Sequence, residues 1–139
     1  MLGGVRVAHD RGLAGHSDAD VATHAVMDAL LGAAGLGDIG TLFPDTDPAY
    51  AGASSVGLLE RVAGVLAEAG WRVGNVDLVI VCEAPRLAAH RAAMVAALAA
   101  ALGVEASAIG VKATTTEGMG FTGRGEGVAA TAVCLIEKV

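Results

Sequence analysis

Residues Val76 to Ala113 read VDLVIVCEAPRLAAHRAAMVAALAAALGVEASAIGVKA, and this stretch decides the fold. Val76 to Cys82 is a β-branched, nearly uncharged run of the kind that forms a buried strand. Glu83-Ala84-Pro85-Arg86 turns the chain. From about Leu87 to Leu102 an Ala- and Leu-rich segment predicts a helix, which Gly103 stops, and Ile109 to Ala113 predicts a second strand. Working outward, Val128 to Ile136 predicts a closing strand. Upstream, Ser54 or Ser55 caps a helix running to about Ala69, in which Leu58, Leu59, Val62, Val65 and Leu66 recur at helical spacing before Gly70 ends it. A further helix is expected from Ser17 or Asp18 to about Leu36, with a short strand at Val5 to Ala8 before it. The order β, α, α, β, α, β, β implies an α+β fold, a sheet covered by helices on one face and free to meet other subunits on the other.

Length and composition bound the rest. A chain of 139 residues is expected to be a single domain spanning residues 1–139. It is 54% hydrophobic but only 3% aromatic, so its core must be built from Ala, Val, Leu and Ile, and the apolar excess points to an oligomer interface. The longest uncharged apolar run, Ala92 to Val104, is too short for the ~18 to 20 residues that span a bilayer, so no membrane is expected. The N-terminus lacks a secretory pattern, which leaves a cytoplasmic location as the default. Cys82 and Cys134 lie in strand-like runs and read as small hydrophobes rather than a disulfide or thiolate metal site. With a net charge of −6 and nine scattered Lys and Arg, nucleic acid is excluded as a partner in favour of a small molecule.

Three loops hold the chemistry: Gly15 to Asp20, Gly37 to Asp47, and Lys112 to Gly127. Glycines allow close backbone approach, hydroxyls and N–H groups grip phosphate oxygens, and carboxylates suit a divalent cation, so a phosphorylated substrate with metal assistance is expected. There is no GxxxxGK[ST] loop and no GxSxG elbow, which disfavours a nucleotide-triphosphate engine and a serine hydrolase. Asp20, His24 and Asp28 fall at i, i+4 and i+8 and make one helix ridge, either a metal ligand with a supporting carboxylate or a solvated face. His16 reads as a phosphate contact or as part of a capping loop; His9 and His90 read as structural or surface residues. Thr114-Thr115-Thr116-Glu117 is a hydroxyl cluster or a Thr-rich strand end, and Arg124 is a surface turn charge or an oxyanion clamp.

Taken together, AGHSDADVATHAVMDALLGAAGLGDIGTLFPDTDP, GNVDLVIVCEAPRLAAH and VKATTTEGMGFTGRGEG resemble the 2-C-methyl-D-erythritol 2,4-cyclodiphosphate synthase family over nearly the whole chain. The resemblance implies a mixed sheet with helices on one side. It also implies a homotrimer with active sites between neighbouring subunits, and a phosphorus–oxygen lyase of the non-mevalonate isoprenoid pathway that releases CMP. By motif, His16 and Ser17 resemble phosphate contacts, His24 a Zn2+ ligand, and Glu117 the ligand of Mg2+ or Mn2+. Asp38, Ile39 and Gly40, with Phe43, Pro44, Asp45, Thr46 and Asp47, resemble the loop around the methylerythritol and its phosphates, Asp38 and Asp45 meeting hydroxyls. Cys82, Glu83, Ala84, Pro85, Arg86, Leu87 and Ala88, with Ala113, Thr114 and Thr115, resemble a cytidine pocket supplied by the adjacent subunit. Thr115 resembles a transition-state stabiliser beside His16, and Thr116 lies in the same motif. Phe121 and Arg124 resemble the trimer centre and its phosphate-facing loop, where Arg124 paired with Glu126 can meet a diphosphate.

The family's first strand carries an Asp-x-His pair that completes the zinc site, and this chain is expected to lack that strand. Arg86 stands where the family more often has Lys. Two functions therefore stand side by side: the synthase itself, and a non-catalytic trimeric nucleotide- or diphosphate-binding module without the zinc. Fusion to a cytidylyltransferase is a third arrangement.

Overall fold

A computed structural model of the protein describes residues 1–8, 20–44 and 46–139. Its centre is a three-stranded mixed sheet in the order β2-β1-β3, formed by β1 (Trp71–Val81), β2 (Ile109–Thr114) and β3 (Ala129–Lys138). The β1 and β2 strands run parallel, from Val76 opposite Ile109 to Val81 opposite Thr114. Parallel neighbours need a long crossover, and the one here contains a 3-10 turn at Ala88–His90 and helix α4 (Arg91–Leu102). The β1 and β3 strands are antiparallel, from Trp71 opposite Lys138 to Val81 opposite Ala129, with an irregularity between Val73 and Asn75. Gly74 sits at that irregularity, where a Cβ would stand 3.1 Å from the Leu135 carbonyl oxygen.

Three helices cover one face of the sheet. Helix α1 (Val21–Ala33) lies against β3 and β1, α4 lies against β2, and α3 (Ser55–Glu68) packs between them and touches β1. The strand period of two sends Val76, Leu78 and Ile80 of β1 and Ile109 and Val111 of β2 inward. There they meet Val26, Met27, Leu30 and Leu31 of α1, Leu59, Val62 and Leu66 of α3, and Met94 and Leu98 of α4. Fully burying each such side chain contributes about 1.5–3 kcal/mol. Alanines on α4 keep that helix thin, and Gly103 (φ 67) ends it by letting Val104 N–H reach back to the Ala99 carbonyl at 3.0 Å.

The predicted elements hold with four corrections. Helix α1 is capped by Asp20, not by Ser17 or Asp18, and ends at Ala33 rather than near Leu36. The expected strand at Val5 to Ala8 does not form: Leu2 and Val5 pair with each other across a Gly3-Gly4 turn, both glycines at positive φ, as an isolated bridge. Two stretches read as loop contain short helices, α2 (Ile39–Leu42) with a 3-10 turn at Pro48–Tyr50, and α5 (Gly120–Gly123). The β1 strand extends five residues earlier than Val76, because Trp71 to Asn75 pair with the end of β3. Helix α3 begins behind Ser54, one of the two expected caps. No helix among the described residues is long and apolar enough to cross a membrane.

Candidate active site

The first group of expected site residues is arranged around α1 and α2. Asp20 does not belong to an exposed ridge: it is fully buried and accepts from Gly3 N–H (2.8 Å), Gly4 N–H (2.7 Å), Thr23 N–H and hydroxyl (2.9 and 2.6 Å) and the Ser55 hydroxyl (2.9 Å). Burial alone would raise the pKa of this carboxyl, but the bonds from Thr23, Gly4 and Ser55 outweigh it and hold the group below its ordinary value of 3.8. It is a structural anchor, which corrects the expectation of either a metal-supporting carboxylate or a solvated one. His24, half-buried, lies one turn further along α1, and exposed Asp28 one turn beyond that, accepting from Ile39 N–H at 2.9 Å.

Asp38 caps α2, its Oδ1 accepting from the Thr41 N–H at 2.8 Å and hydroxyl at 2.9 Å. Those two bonds, with a smaller contribution from Gly40 N–H, hold its carboxyl below the usual carboxylate value although it is exposed. Ile39 packs on the core while Gly40 is exposed. Phe43 meets Tyr50 edge to face at 5.2 Å, and Tyr50 lies under the Arg61 guanidinium at 5.7 Å, so the chain after α2 is pressed onto α3. Pro44 is half-buried, Thr46 is exposed, and Asp47 caps the following turn through Ala49 N–H at 3.0 Å. His16, Ser17 and Asp45 lie outside the described residues.

The second group sits at the carboxyl ends of the parallel strands β1 and β2, where open sheets commonly bind ligands. Cys82 N–H donates to the Thr114 carbonyl at 3.0 Å, which joins the segment Cys82 to Ala88 to Ala113, Thr114 and Thr115. Cys82 and Leu87 are buried and anchor this segment, leaving Ala84, Arg86 and Ala88 exposed around the cis Ala84–Pro85 bond. The Cys82 thiol lies 2.9 Å from the Ala84 carbonyl, and burial pushes its pKa up, so it is a poor nucleophile. Cys134 is half-buried rather than fully buried, and its thiol is raised by the same cause. Among the described residues no donor reaches the buried Oε2 of Glu83, an oxygen that any donor brought to it would stabilise.

Thr115 is exposed, and its Oγ1 accepts from Glu117 N–H at 3.2 Å, which leaves its hydroxyl proton to donate outward. Glu117 is exposed at φ 54, the single non-glycine residue at positive φ among the described residues. Thr116 is tied to the buried Thr122 hydroxyl at 3.0 Å, a contact that sequence reading missed because Thr122 sits in a run that looks like open loop. Phe121 is half exposed with its ring over Gly127, and Arg124 pairs with Glu126 at 2.8 Å. Among the described residues no three His, Cys, Asp or Glu side chains are grouped so as to hold a metal ion.

The comparisons with known proteins agree on the lineage of this arrangement. The model of the YgbB family matches residues 1–137. A 2-C-methyl-D-erythritol 2,4-cyclodiphosphate synthase of Thiobacillus denitrificans is 61% identical across 99% of this chain and 86% of its own length. The bifunctional enzyme IspD/IspF of Erythrobacter litoralis is 59% identical across 99% of this chain, which spans 36% of that longer protein. A solved 2C-methyl-D-erythritol-2,4-cyclodiphosphate synthase in its CDP-bound form superposes with a TM-score of 0.90 at 37% identity, covering 99% of this chain and 89% of its own. Matched along its length in sequence and in fold, the chain belongs to the YgbB family, the 2-C-methyl-D-erythritol 2,4-cyclodiphosphate synthases.

Proposed function

We propose that the protein converts 4-diphosphocytidyl-2-C-methyl-D-erythritol 2-phosphate to 2-C-methyl-D-erythritol 2,4-cyclodiphosphate in non-mevalonate isoprenoid biosynthesis. An oxygen of the 2-phosphate attacks the β-phosphorus, the bond from that phosphorus to the bridging oxygen breaks, and CMP leaves, so the enzyme is a phosphorus–oxygen lyase. The observation that carries this reading is the match to the synthases over almost the entire chain.

The two groups of residues divide the substrate between them. Asp38, Ile39 and Gly40, with Phe43 to Asp47, enclose the methylerythritol, Asp38 and Asp45 accepting from its hydroxyls. The segment Cys82 to Ala88, with Ala113 to Thr115, takes the cytidine. Thr115, its Oγ1 occupied by Glu117 N–H, turns its hydroxyl proton to the oxygens that gain charge as the ring closes. His16 and Ser17 bind phosphate. The exposed Glu117 would hold a Mg2+ or Mn2+ ion, which needs only one or two protein carboxylates when phosphates and water fill its shell and which when bound would lower the repulsion between the two phosphates. His24 is the residue of this chain that would ligate zinc.

One group lies on α1 and α2 and the other at the ends of β1 and β2, which suits a site closed between neighbouring copies. The sheet face away from the helices supports a homotrimer: Val133 and Leu135 project from it, each 66% exposed, beside the Arg72–Glu137 and Lys112–Asp77 pairs. We place the protein in the cytoplasm. The deciding experiment is release of CMP together with the cyclic diphosphate from the diphosphocytidyl substrate with Zn2+ and Mg2+ supplied. CDP binding without either product would leave the non-catalytic module as the function.

A further inference from the structure

Asp28 follows His24 by one turn on the same ridge of α1, about 6 Å along the helix axis. Its Oδ1 accepts from the N–H of Ile39, the first residue of α2, whose cap is Asp38. The N–H of a first helical residue has no acceptor inside its own helix, and the Asp38 carboxylate is already committed to Thr41. Two carboxylates thus divide the start of α2, Asp38 serving it from in front and Asp28 from across on α1.

The link between the two helices does not itself set their distance. It is an exposed stretch in which Gly35 (φ 69) and Gly37 (φ 91) supply left-handed turns and pivot points. The side chains of Ile39 and Leu42 seat α2 on the core, while the Asp28 bond holds the end that carries Asp38. Asp38 accepts two bonds from Thr41 on Oδ1 and a further one from Gly40 N–H, and as an exposed carboxylate it keeps acceptor capacity beyond these for a ligand hydroxyl.

We infer that Asp28 is a positioning residue for the reaction: through Ile39 N–H it holds the Asp38–Gly40 turn against α1, so that the Asp38 carboxylate meets the substrate hydroxyl at the geometry ring closure needs. The inference rests on the synthase reading proposed above. The bond requires an acceptor oxygen at position 28 and does not require its charge, which separates this role from metal ligation.

The test compares wild type, Asp28→Ala and Asp28→Asn in steady-state CMP release, with amide hydrogen exchange at Ile39 followed in parallel. Displacement of a reacting group by an ångström costs on the order of 100-fold, so Asp28→Ala should lower kcat roughly 10- to 100-fold with KM moved less than about threefold. Its Ile39 amide should exchange faster. Asp28→Asn keeps a carbonyl oxygen for Ile39 and should recover most of kcat; a merely structural role would lower the melting temperature of Asp28→Ala without separating kcat from KM. Turnover of Asp28→Ala at the wild-type rate overturns the inference, as does an Asp28→Asn variant as slow as Asp28→Ala. A wild type that releases no CMP overturns the synthase reading instead, and unchanged exchange at Ile39 in Asp28→Ala then overturns the tether on its own.

Discussion

Asp20 shows how much one side chain can organise. Its carboxylate collects five donors from three places in the sequence: the Gly3-Gly4 turn, the first turn of α1 and the start of α3. Replacing it with alanine removes a helix cap and leaves several buried donors unpaired, so Asp20→Ala should destabilise the protein by about 3–5 kcal/mol in urea unfolding at pH 7. Because its folded pKa lies below the unfolded value of 3.8, the stability it contributes is complete above that value and is lost as pH falls through the folded pKa. The gap between wild type and Asp20→Ala should therefore narrow as the pH is lowered below about 4. A gap of constant size from pH 7 to about pH 2 would remove the charge from the account. The sequence placed the cap a turn too early, at Ser17 or Asp18, and the donors from Gly3, Gly4 and Ser55 were not legible at all, since nothing local links those positions.

The loop after β2 is a constructed element rather than slack chain. Thr116 and Thr122 join hydroxyls across its base, and Gly118 and Gly123 cross so closely that a Cβ on Gly123 would lie 2.2 Å from the Gly118 carbonyl carbon. No rotamer relieves a clash between a Cβ and backbone, so Gly123→Ala must pry the loop open. The expected outcome is faster trypsin cleavage after the exposed Arg124 with the melting temperature little changed, because the core strands and helices lie elsewhere. Cleavage at the wild-type rate would mean that the crossing does not hold the loop closed. Its glycine content was readable as a demand for close approach; which glycines approach each other was not. On α1 Asp20, His24 and Asp28 do fall one turn apart, yet the two carboxylates carry different tasks: Asp20 caps the helix and anchors inward, and Asp28 reaches across to α2.

For the molecule as a whole, the asymmetry of the sheet matters most. One face is filled by α1, α3 and α4, and the other presents Val133 and Leu135 among the ion pairs of Arg72 with Glu137 and Lys112 with Asp77. Exposed pairs of this kind contribute roughly 0–1 kcal/mol each, so in the trimer proposed above the apolar stripe would supply most of the association energy. A Val133→Glu, Leu135→Glu double variant should sediment as a single chain where wild type sediments as three, and should lose turnover with it if sites are shared between copies. Wild type sedimenting as a single chain would remove the trimer.

The sequence by itself determined the segments and the lineage. Periodicity marks which stretches can bury a face, so VDLVIVC, the Leu and Val spacing of Ser55–Glu68 and the Ala-rich helix ended by Gly103 could be read directly. The joint motifs HSDAD, GDIG and TTTE with GFTGRGEG pointed to the family in the same way. Only the tertiary structure decided that β1 is central, with β2 parallel on one side and β3 antiparallel on the other. It also decided that the chain from Leu2 to Val5 folds back on itself instead of entering the sheet. The physical reason is range: periodicity and turn chemistry act within a few residues, whereas strand pairing and the bonds of Asp20 and Asp28 join groups that only chain folding brings within 3 Å.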